Sequence, residues 1–236
     1  MVDLSVHIEN NEHTDHPGGS PRVTYRTHKE TAGGLAHFFQ GLREDQLPDG
    51  EGWAVETVTL STHNGTHMDA PWHFHSTTDH GRTRAPAIDE TPLEYCFKPG
   101  VKLDFRHLPD GHVVSAGEVE AELERIGHEL QPLDIVLVNT SAGAVFGQPG
   151  YVDKGCGMGR EATLYLTERG VRVVGTDGWS WDAPSTTPRS AGKRPATLPS
   201  SGKVTKRAAR SPTGRWRSCT TSRRCRPAGS PLCAFR

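Results

Sequence analysis

Four segments in the first 184 residues have the hydrophobic pattern of β-strands. The first two alternate apolar and polar residues, and the last two are short apolar runs typical of strands buried on both faces. The four predicted strands are 55–60, 101–105, 135–138 and 171–174.

Two segments between these strands are predicted to be helices. Ser115 and Glu118 have the spacing of a capping box, and Val119, Leu123 and Ile126 after them share one helical face. A second helix is predicted from about residue 160 to 169, with a glycine directly after it. Strands and helices that alternate at short spacing predict an α/β fold with at least partly parallel pairing.

Charge divides the chain near residue 184. Residues 1–184 contain 14 of the 27 Lys and Arg and all 28 Asp and Glu, whereas residues 185–236 contain 13 basic residues and no acidic one. The second part is rich in Arg, Ser and Pro and has no periodicity, so we predict a folded domain over 1–184 and a basic, low-complexity, disordered tail over 185–236. A nucleic-acid-binding arm is the less favoured interpretation, since the tail has only Trp216 and Phe235 to stack on bases.

Neither export nor membrane insertion is predicted. The first residues lack a basic and an apolar signal region, and no later run approaches 18 consecutive apolar residues. The five cysteines have no regular spacing, so a reducing cytoplasm is the expected compartment.

The most informative chemical pattern is a cluster of metal-binding residue types. His63, His67 and Asp69 lie at i, i+4 and i+6, and His73 lies at i+10. Imidazole and carboxylate groups are the usual ligands of a catalytic Zn²⁺ or Mn²⁺. Because all offsets are even, an extended strand would place these side chains on one side. Ordinary surface or core histidines are the alternative, but four such residues within eleven favour a metal site.

Other histidines and tryptophans have less certain roles. His75 and His80, close to the cluster, are predicted to be solvated. His13 and His16 are predicted to lie in a loop without a function. Trp72, Trp179 and Trp181 could form an aromatic wall for a substrate, and packing in the core is an equally good interpretation.

Two motifs resemble those of the cyclase-like metal hydrolase family, which includes bacterial kynurenine formamidase (arylformamidase) and isatin hydrolase. The first is His63-x-Gly65-Thr66-His67-x-Asp69-x-Pro71-x-His73, and the second is Gly175-x-Asp177-x-x-Ser180-x-Asp182. The resemblance implies a swivelling β/β/α fold, a homodimer or higher oligomer, metal ligation by His63, His67 and Asp69, and a general acid/base role for His73.

The function implied by the resemblance is metal-dependent hydrolysis of an amide bond. A divalent metal acidifies water and stabilises a developing oxyanion, and a nearby histidine can transfer the proton to the leaving amine. The leading substrate class is an aryl formamide such as N-formylkynurenine, an intermediate of tryptophan catabolism. Hydrolysis of a cyclic amide such as isatin, or of a lactone, is the enzymatic alternative. A non-catalytic protein with a nucleic-acid-binding tail is the alternative from another class.

The resemblance stops at Pro184, before the distal His and Glu that the family pattern places twelve residues apart. Reading the message one base earlier, the codons from Gly202 onward permit Trp-Glu-Gly-His-Lys-Ala-Gly, and a Glu codon can straddle Trp216 and Arg217. That Glu codon lies twelve codons after the permitted His codon. We therefore predict a frameshift at about codon 184, a domain incomplete at its C-terminus, and impaired metal binding and activity in this chain.

Overall fold

The computed structural model describes residues 2–78 and 81–185 and the backbone of one further strand at Gly214–Arg217. The strands are β1 (Arg22–Arg26), β2 (Val55–Thr59), β3 (His67–Asp69), β4 (Thr77–Thr78), β5 (Thr83–Arg84), β6 (Gly100–Asp104), β7 (Val113–Val114), β8 (Ile135–Asn139), β9 (Gly157–Met158), β10 (Val173–Thr176) and β11 (Gly214–Arg217). The α-helices are α1 (His28–His37), α2 (Pro71–Phe74), α3 (Ala116–Ile126) and α4 (Arg160–Glu168). Short 3₁₀ turns occupy Glu44–Gln46, Pro48–Gly50, Ile88–Glu90, Leu93–Cys96, Ala142–Val145 and Tyr151–Asp153.

A five-stranded sheet in the order β3-β11-β10-β8-β6 is the centre of the fold. Strands β6, β8, β10 and β11 are parallel, and β3 joins the edge by antiparallel pairing with β11. The predicted α/β class with partly parallel pairing is therefore confirmed. Functional groups of such sheets commonly lie at the carboxyl ends of the parallel strands. The register places His67 at this end, because residue 217 pairs with both His67 and Thr176.

Helices α3 and α4 cover the sheet and bury its main core. Ser115 caps α3 through the predicted capping box, and Glu118 completes the box with its carboxylate. Val119 and Leu123 of α3 are buried in the core, and Ile126 packs against it, as predicted. Val101, Leu103, Val136, Val138, Val174, Ala162 and Leu166 complete the centre of this core.

The strand predicted at 171–174 begins two residues later, at Val173. The reason is that the backbone N–H of Val171 donates to the carbonyl of Leu166 at 3.2 Å, so Val171 closes the end of α4 instead of starting the strand. Gly170 adopts a φ of 88°, the left-handed conformation predicted for the residue that ends this helix. The apolar run is therefore shared between a helix terminus and a strand.

Strands β1 and β2 form a separate antiparallel ribbon in which Val23 pairs with Val58. All five residues of β2 are exposed, and Tyr25 in β1, Trp53 just before β2 and Phe38 at the end of α1 are exposed to 58%, 67% and 80%. A two-stranded ribbon is marginally stable alone, so this region needs support from other contacts.

Of the predicted basic tail, only β11 is described, and it lies inside the central sheet. The other residues from 186 onward lie outside the described residues, so disorder of the tail stays a prediction. Within the described ranges, no helix combines the length and the hydrophobicity needed to cross a membrane.

Candidate metal centre

The structure brings His63, His67 and Asp69 together at one end of β3. One potential ligand atom from each residue lies within 4.8 Å of the other two. The predicted convergence is thus present, but its geometry differs from the predicted single strand. Only His67 and Asp69 lie on β3, while His63 lies in the preceding turn and His73 lies in helix α2.

A buried asparagine fixes the turn that carries His63. The Asn64 side chain accepts a hydrogen bond from the backbone N–H of Ser61 at 2.8 Å and donates to the carbonyl of Gly19 at 2.7 Å. Its amide also donates to Asp15 Oδ2 at 3.0 Å. Gly65 follows with a φ of 64°, a conformation that glycine adopts without strain. This sharp turn, rather than strand parity, directs His63 toward Asp69.

The ring of His67 is oriented for metal ligation. Its Nδ1 lies 2.9 Å from the carbonyl oxygen of Gly65, which can only accept a hydrogen bond, so Nδ1 carries the proton. In the neutral ring this leaves Nε2 as the atom with the free lone pair, and Nε2 lies 3.5 Å from Asp69 Oδ1. A backbone carbonyl that fixes the tautomer in this way is typical of metal-binding histidines.

The buried polar atoms of His63, His67 and Asp69 show whether these residues fit a cation. The Asp69 side chain is fully buried, and His63 Nδ1 lies 2.7 Å from its Oδ1. Nevertheless, neither His63 Nδ1 nor His67 Nε2 has a hydrogen-bond partner of good geometry among the described residues. Buried polar atoms without partners are costly. A divalent cation bound by all three side chains would satisfy both nitrogens and compensate the buried carboxylate, so the residues fit the group.

His73 lies beside the three potential ligands on the solvent side. Its ring centroid is 4.0 Å from that of His63, and the two rings are tilted by 40°. His73 is exposed, whereas the His67 side chain is only 10% exposed. The fourth residue of the predicted motif is therefore close enough to act on a substrate at the centre without belonging to the ligand set.

Asp15 is a member of the site that sequence reasoning missed. It accepts hydrogen bonds from Trp179 Nε1 at 2.8 Å and from Asn64, and so connects the N-terminal segment to the ligand turn. Asp15, Trp179, Phe146 and Tyr151 line a cavity of about 20 Å³ next to His63 and His67. That volume holds about one water molecule. A ligand larger than a water molecule would therefore approach from the exposed side, where His73 lies.

The three tryptophans of the predicted aromatic wall lie in different environments. Trp179 lines the cavity and makes an edge-on contact with the His16 ring at a centroid distance of 4.2 Å. Trp181 is buried in the core and donates its Nε1–H to Thr163 Oγ1, so packing is its role. Trp72 is half exposed, and the Arg84 guanidinium lies over its ring. A wall formed by all three is excluded.

The other histidines near the motif are mostly peripheral. His75 is exposed, as predicted, and its Nδ1 lies 3.0 Å from the carbonyl oxygen of Thr77 and 3.2 Å from its hydroxyl oxygen. His16 contacts the cavity wall through Trp179 and so is more than a free loop residue. His80 lies outside the described residues.

Asp177 is a buried carboxylate at the carboxyl end of β10. Its Oδ1 accepts hydrogen bonds from the backbone N–H and the hydroxyl of Thr140, both at 2.8 Å, and its Oδ2 accepts one from Asn139 Nδ2 at 2.6 Å. Burial raises the pKa of Asp177 to about 6, although these hydrogen bonds oppose the shift. Its backbone carbonyl accepts a hydrogen bond from Tyr151 at 3.2 Å, which holds one wall of the cavity.

A larger groove of about 660 Å³ lies elsewhere, between α3 and the segment after β6. Its charged groups neutralise one another: Arg106 forms two hydrogen bonds to Asp104, and Arg125 forms two to Glu122. The hydrogen bonds from Arg106 lower the pKa of Asp104 to about 2. The groove contains no cluster of ligand atoms like that at His63, so we place the candidate chemistry at the smaller cavity.

Comparison with known proteins assigns the fold. The sequence profile described as "Putative cyclase" matches residues 2–183. The chain also resembles an isatin hydrolase solved with the product analogue thioisatinate, with 17% identity and a TM-score of 0.69 over 97% of this chain and 82% of that one. Isatin hydrolase A from Ralstonia solanacearum gives 17% identity and a TM-score of 0.68 over 97% and 82%.

A third solved structure extends the comparison. A predicted metal-dependent hydrolase from Bacillus stearothermophilus gives 18% identity and a TM-score of 0.57 over 97% of this chain and 85% of that one. No curated protein matches the sequence. At these identities the likeness establishes the fold, and it confirms the predicted cyclase-like α/β architecture.

Proposed function

The chain belongs to the cyclase family, and from that membership we propose that it is built as a metal-dependent amidohydrolase acting on a small aromatic amide. The observation that carries this proposal is the convergence of ligand atoms from His63, His67 and Asp69 within 4.8 Å. Zn²⁺ and Mn²⁺ are the cations that this donor set favours.

The roles of the side chains follow from their positions. His67 Nε2, His63 Nδ1 and the Asp69 carboxylate would hold the cation, which supplies Lewis acidity toward a carbonyl oxygen and acidifies water. His73, exposed beside His63, would accept a proton on an imidazole nitrogen and return it to the leaving amine. The cavity wall formed by Phe146, Tyr151 and Trp179 would exclude bulk water from the inner side of the site.

Two variants, made in the form whose reading frame is restored near codon 184, separate these roles. The His67→Ala protein should lose bound Mn²⁺ or Zn²⁺ in metal analysis and lose hydrolysis with it. The His73→Ala protein should retain the metal while its turnover falls by about 10²–10⁴-fold, the usual contribution of a general acid or base. The proposal is contradicted if the His67→Ala protein still binds the metal and both variants keep full turnover.

The substrate has two candidates. N-formylkynurenine, the substrate implied by the motif resemblance, is the first, and isatin is favoured by the isatin hydrolases among the similar solved structures. Both are aromatic amides that differ in whether the scissile bond is within a ring. Hydrolysis rates measured side by side on the two compounds, and on a lactone as a third, distinguish the candidates.

We also propose that activity is impaired in this chain by the frameshift near codon 184. The pairing of β11 with β3, the strand of His67 and Asp69, supports this proposal. The Glu codon of the alternative reading straddles residues 216 and 217 and so falls within this strand. Sequencing the message tests the frameshift, and equal metal content and activity of the two translated forms would contradict impairment.

A homodimer or higher oligomer is proposed for the assembled protein. The exposed apolar side chains of Tyr25, Trp53 and Phe38 lie at or near the β1–β2 ribbon, and large exposed apolar surfaces commonly mark interfaces. Light scattering coupled to gel filtration should give at least twice the monomer mass. The double substitution Tyr25→Ser and Trp53→Ser should shift the protein toward the monomer if this surface forms the interface.

A further inference from the structure

Strand β11 lies between the ligand strand β3 and the parallel strand β10. In its antiparallel pairing with β3, Arg215 is registered with Asp69 and Arg217 with His67. Paired positions in antiparallel strands have Cα atoms about 4.5–5.5 Å apart. The two arginine positions of β11 are therefore adjacent to the two ligand positions of β3.

The charge of β11 is unusual for this place in a sheet. Its sequence, Gly-Arg-Trp-Arg, carries two positive charges within four residues, and no acidic residue occurs anywhere from 185 to 236. Asp69 is 1% exposed, so water screens charges poorly around its carboxylate. Positive charge carried by the adjacent strand disfavours a divalent cation there, and the double charge of the cation doubles that effect relative to a monovalent ion.

We propose that Arg215 and Arg217 weaken divalent-cation binding at His63, His67 and Asp69, so that the charge of β11 determines the metal affinity of this chain. The inference rests on the proposed metal centre and adds an inhibitory determinant outside the ligand set. Metal binding can be lost because ligand residues are missing or because the neighbouring strand carries an unfavourable charge. In this proposal the three ligand residues are in place, and the charge of β11 is the cause.

Metal titration of the full chain tests the inference without an activity measurement. The affinity for Mn²⁺ alone, and then for Zn²⁺ alone, is measured by calorimetry on the unmodified protein and on the double variant Arg215→Gln, Arg217→Gln. A second double variant, Arg215→Lys and Arg217→Lys, keeps the charge while changing the side chains. Arg223→Gln with Arg224→Gln removes two charges from the tail outside β11 and serves as the matched control.

The glutamine pair should bind each metal at least tenfold more tightly than the unmodified chain. The lysine pair and the Arg223/Arg224 control should remain within about threefold of it. The inference is overturned if the glutamine pair shows no gain, or if the lysine pair gains as much as the glutamine pair. If the glutamine pair fails to fold, by circular dichroism, the two single glutamine variants provide the same comparison.

Failure of the metal centre itself gives a different result. Each protein is also measured with His67→Ala, which reports cation binding elsewhere on the chain. Absence of any His67-dependent binding in all proteins contradicts the proposed metal centre. His67-dependent binding that is equal in all of them contradicts only the role of Arg215 and Arg217.

Discussion

Replacing Asp177 with asparagine should change the pH dependence of stability. In the native protein burial raises the pKa of this carboxyl group from 3.8 to about 6. The folded state therefore retains the proton more tightly than the unfolded state. For this group, stability is greatest below the unfolded pKa and is lost as the pH rises through the folded pKa. The full difference corresponds to about 3 kcal/mol.

The asparagine variant removes the titration and keeps the hydrogen bonds from Thr140. The amide oxygen of Asp177→Asn can accept both of them, as Oδ1 does in the native protein. Its amide N–H can donate to Asn139 Oδ1 after rotation of the Asn139 amide, which gives up the 3.3 Å hydrogen bond from Asn139 Nδ2 to the carbonyl of Thr140. The variant should therefore fold and differ from the native protein mainly by the missing charge.

Urea denaturation followed by tryptophan fluorescence measures the effect, with a chelator present to exclude metal binding. We expect the unfolding free energy of the native protein, minus that of Asp177→Asn, to fall by about 2 kcal/mol between pH 4.5 and 7. Titration of the other carboxyl groups affects both proteins alike and cancels in the difference. A difference that is constant across this range, or that rises with pH, would refute the assignment of a raised pKa to Asp177.

Four further predictions concern local structure. Ser115→Ala removes the N-cap of α3 and should lower the unfolding free energy by about 1 kcal/mol in urea denaturation. Gly157→Ala should be strongly destabilising or prevent folding, because a Cβ at this position would overlap the backbone of Ala183. In Gly34→Ala the added Cβ lies in open space on α1, so the unfolding free energy should rise by up to about 1 kcal/mol. Burial raises the pKa of the Cys156 thiol to about 12, so mass spectrometry should find it unmodified by iodoacetamide at pH 8 in the native protein and modified after unfolding.

The parts of the fold that were predictable from the sequence are those determined by neighbours along the chain. The capping box at Ser115 and the apolar face of α3 involve residues three to four apart, and both were predicted correctly. The β3 segment shows the limit of such reasoning. Even spacing predicted one strand for His63, His67 and Asp69, but the left-handed Gly65 separates His63 from β3, and His73 lies in helix α2, which begins at Pro71.

Residues of the site that depend on distant contacts could not be predicted. Asp15 bonds Asn64 across 49 positions and Trp179 across 164, and nothing in its own sequence neighbourhood marks it. The position of β11 is a similar case. The composition of residues 185–236 gave no sign of a strand there. The register of β11 depends on its pairing with β10 and with β3, and β3 lies over 140 residues away in the sequence.

Local contacts of the ligand residues explain why the metal centre and the tail can be tested separately. The His67 tautomer depends on Gly65, and the turn of His63 depends on Asn64, which is held by Ser61, Asp15 and Gly19. All of these residues precede residue 70. A change of charge in β11 should therefore alter cation affinity without dismantling the ligand turn. If instead Arg217→Gln also shifted the backbone amide resonances of Ser61 and Asn64 in NMR spectra recorded without metal, the two parts would be structurally coupled, and the ligand turn would depend on the sequence of the tail.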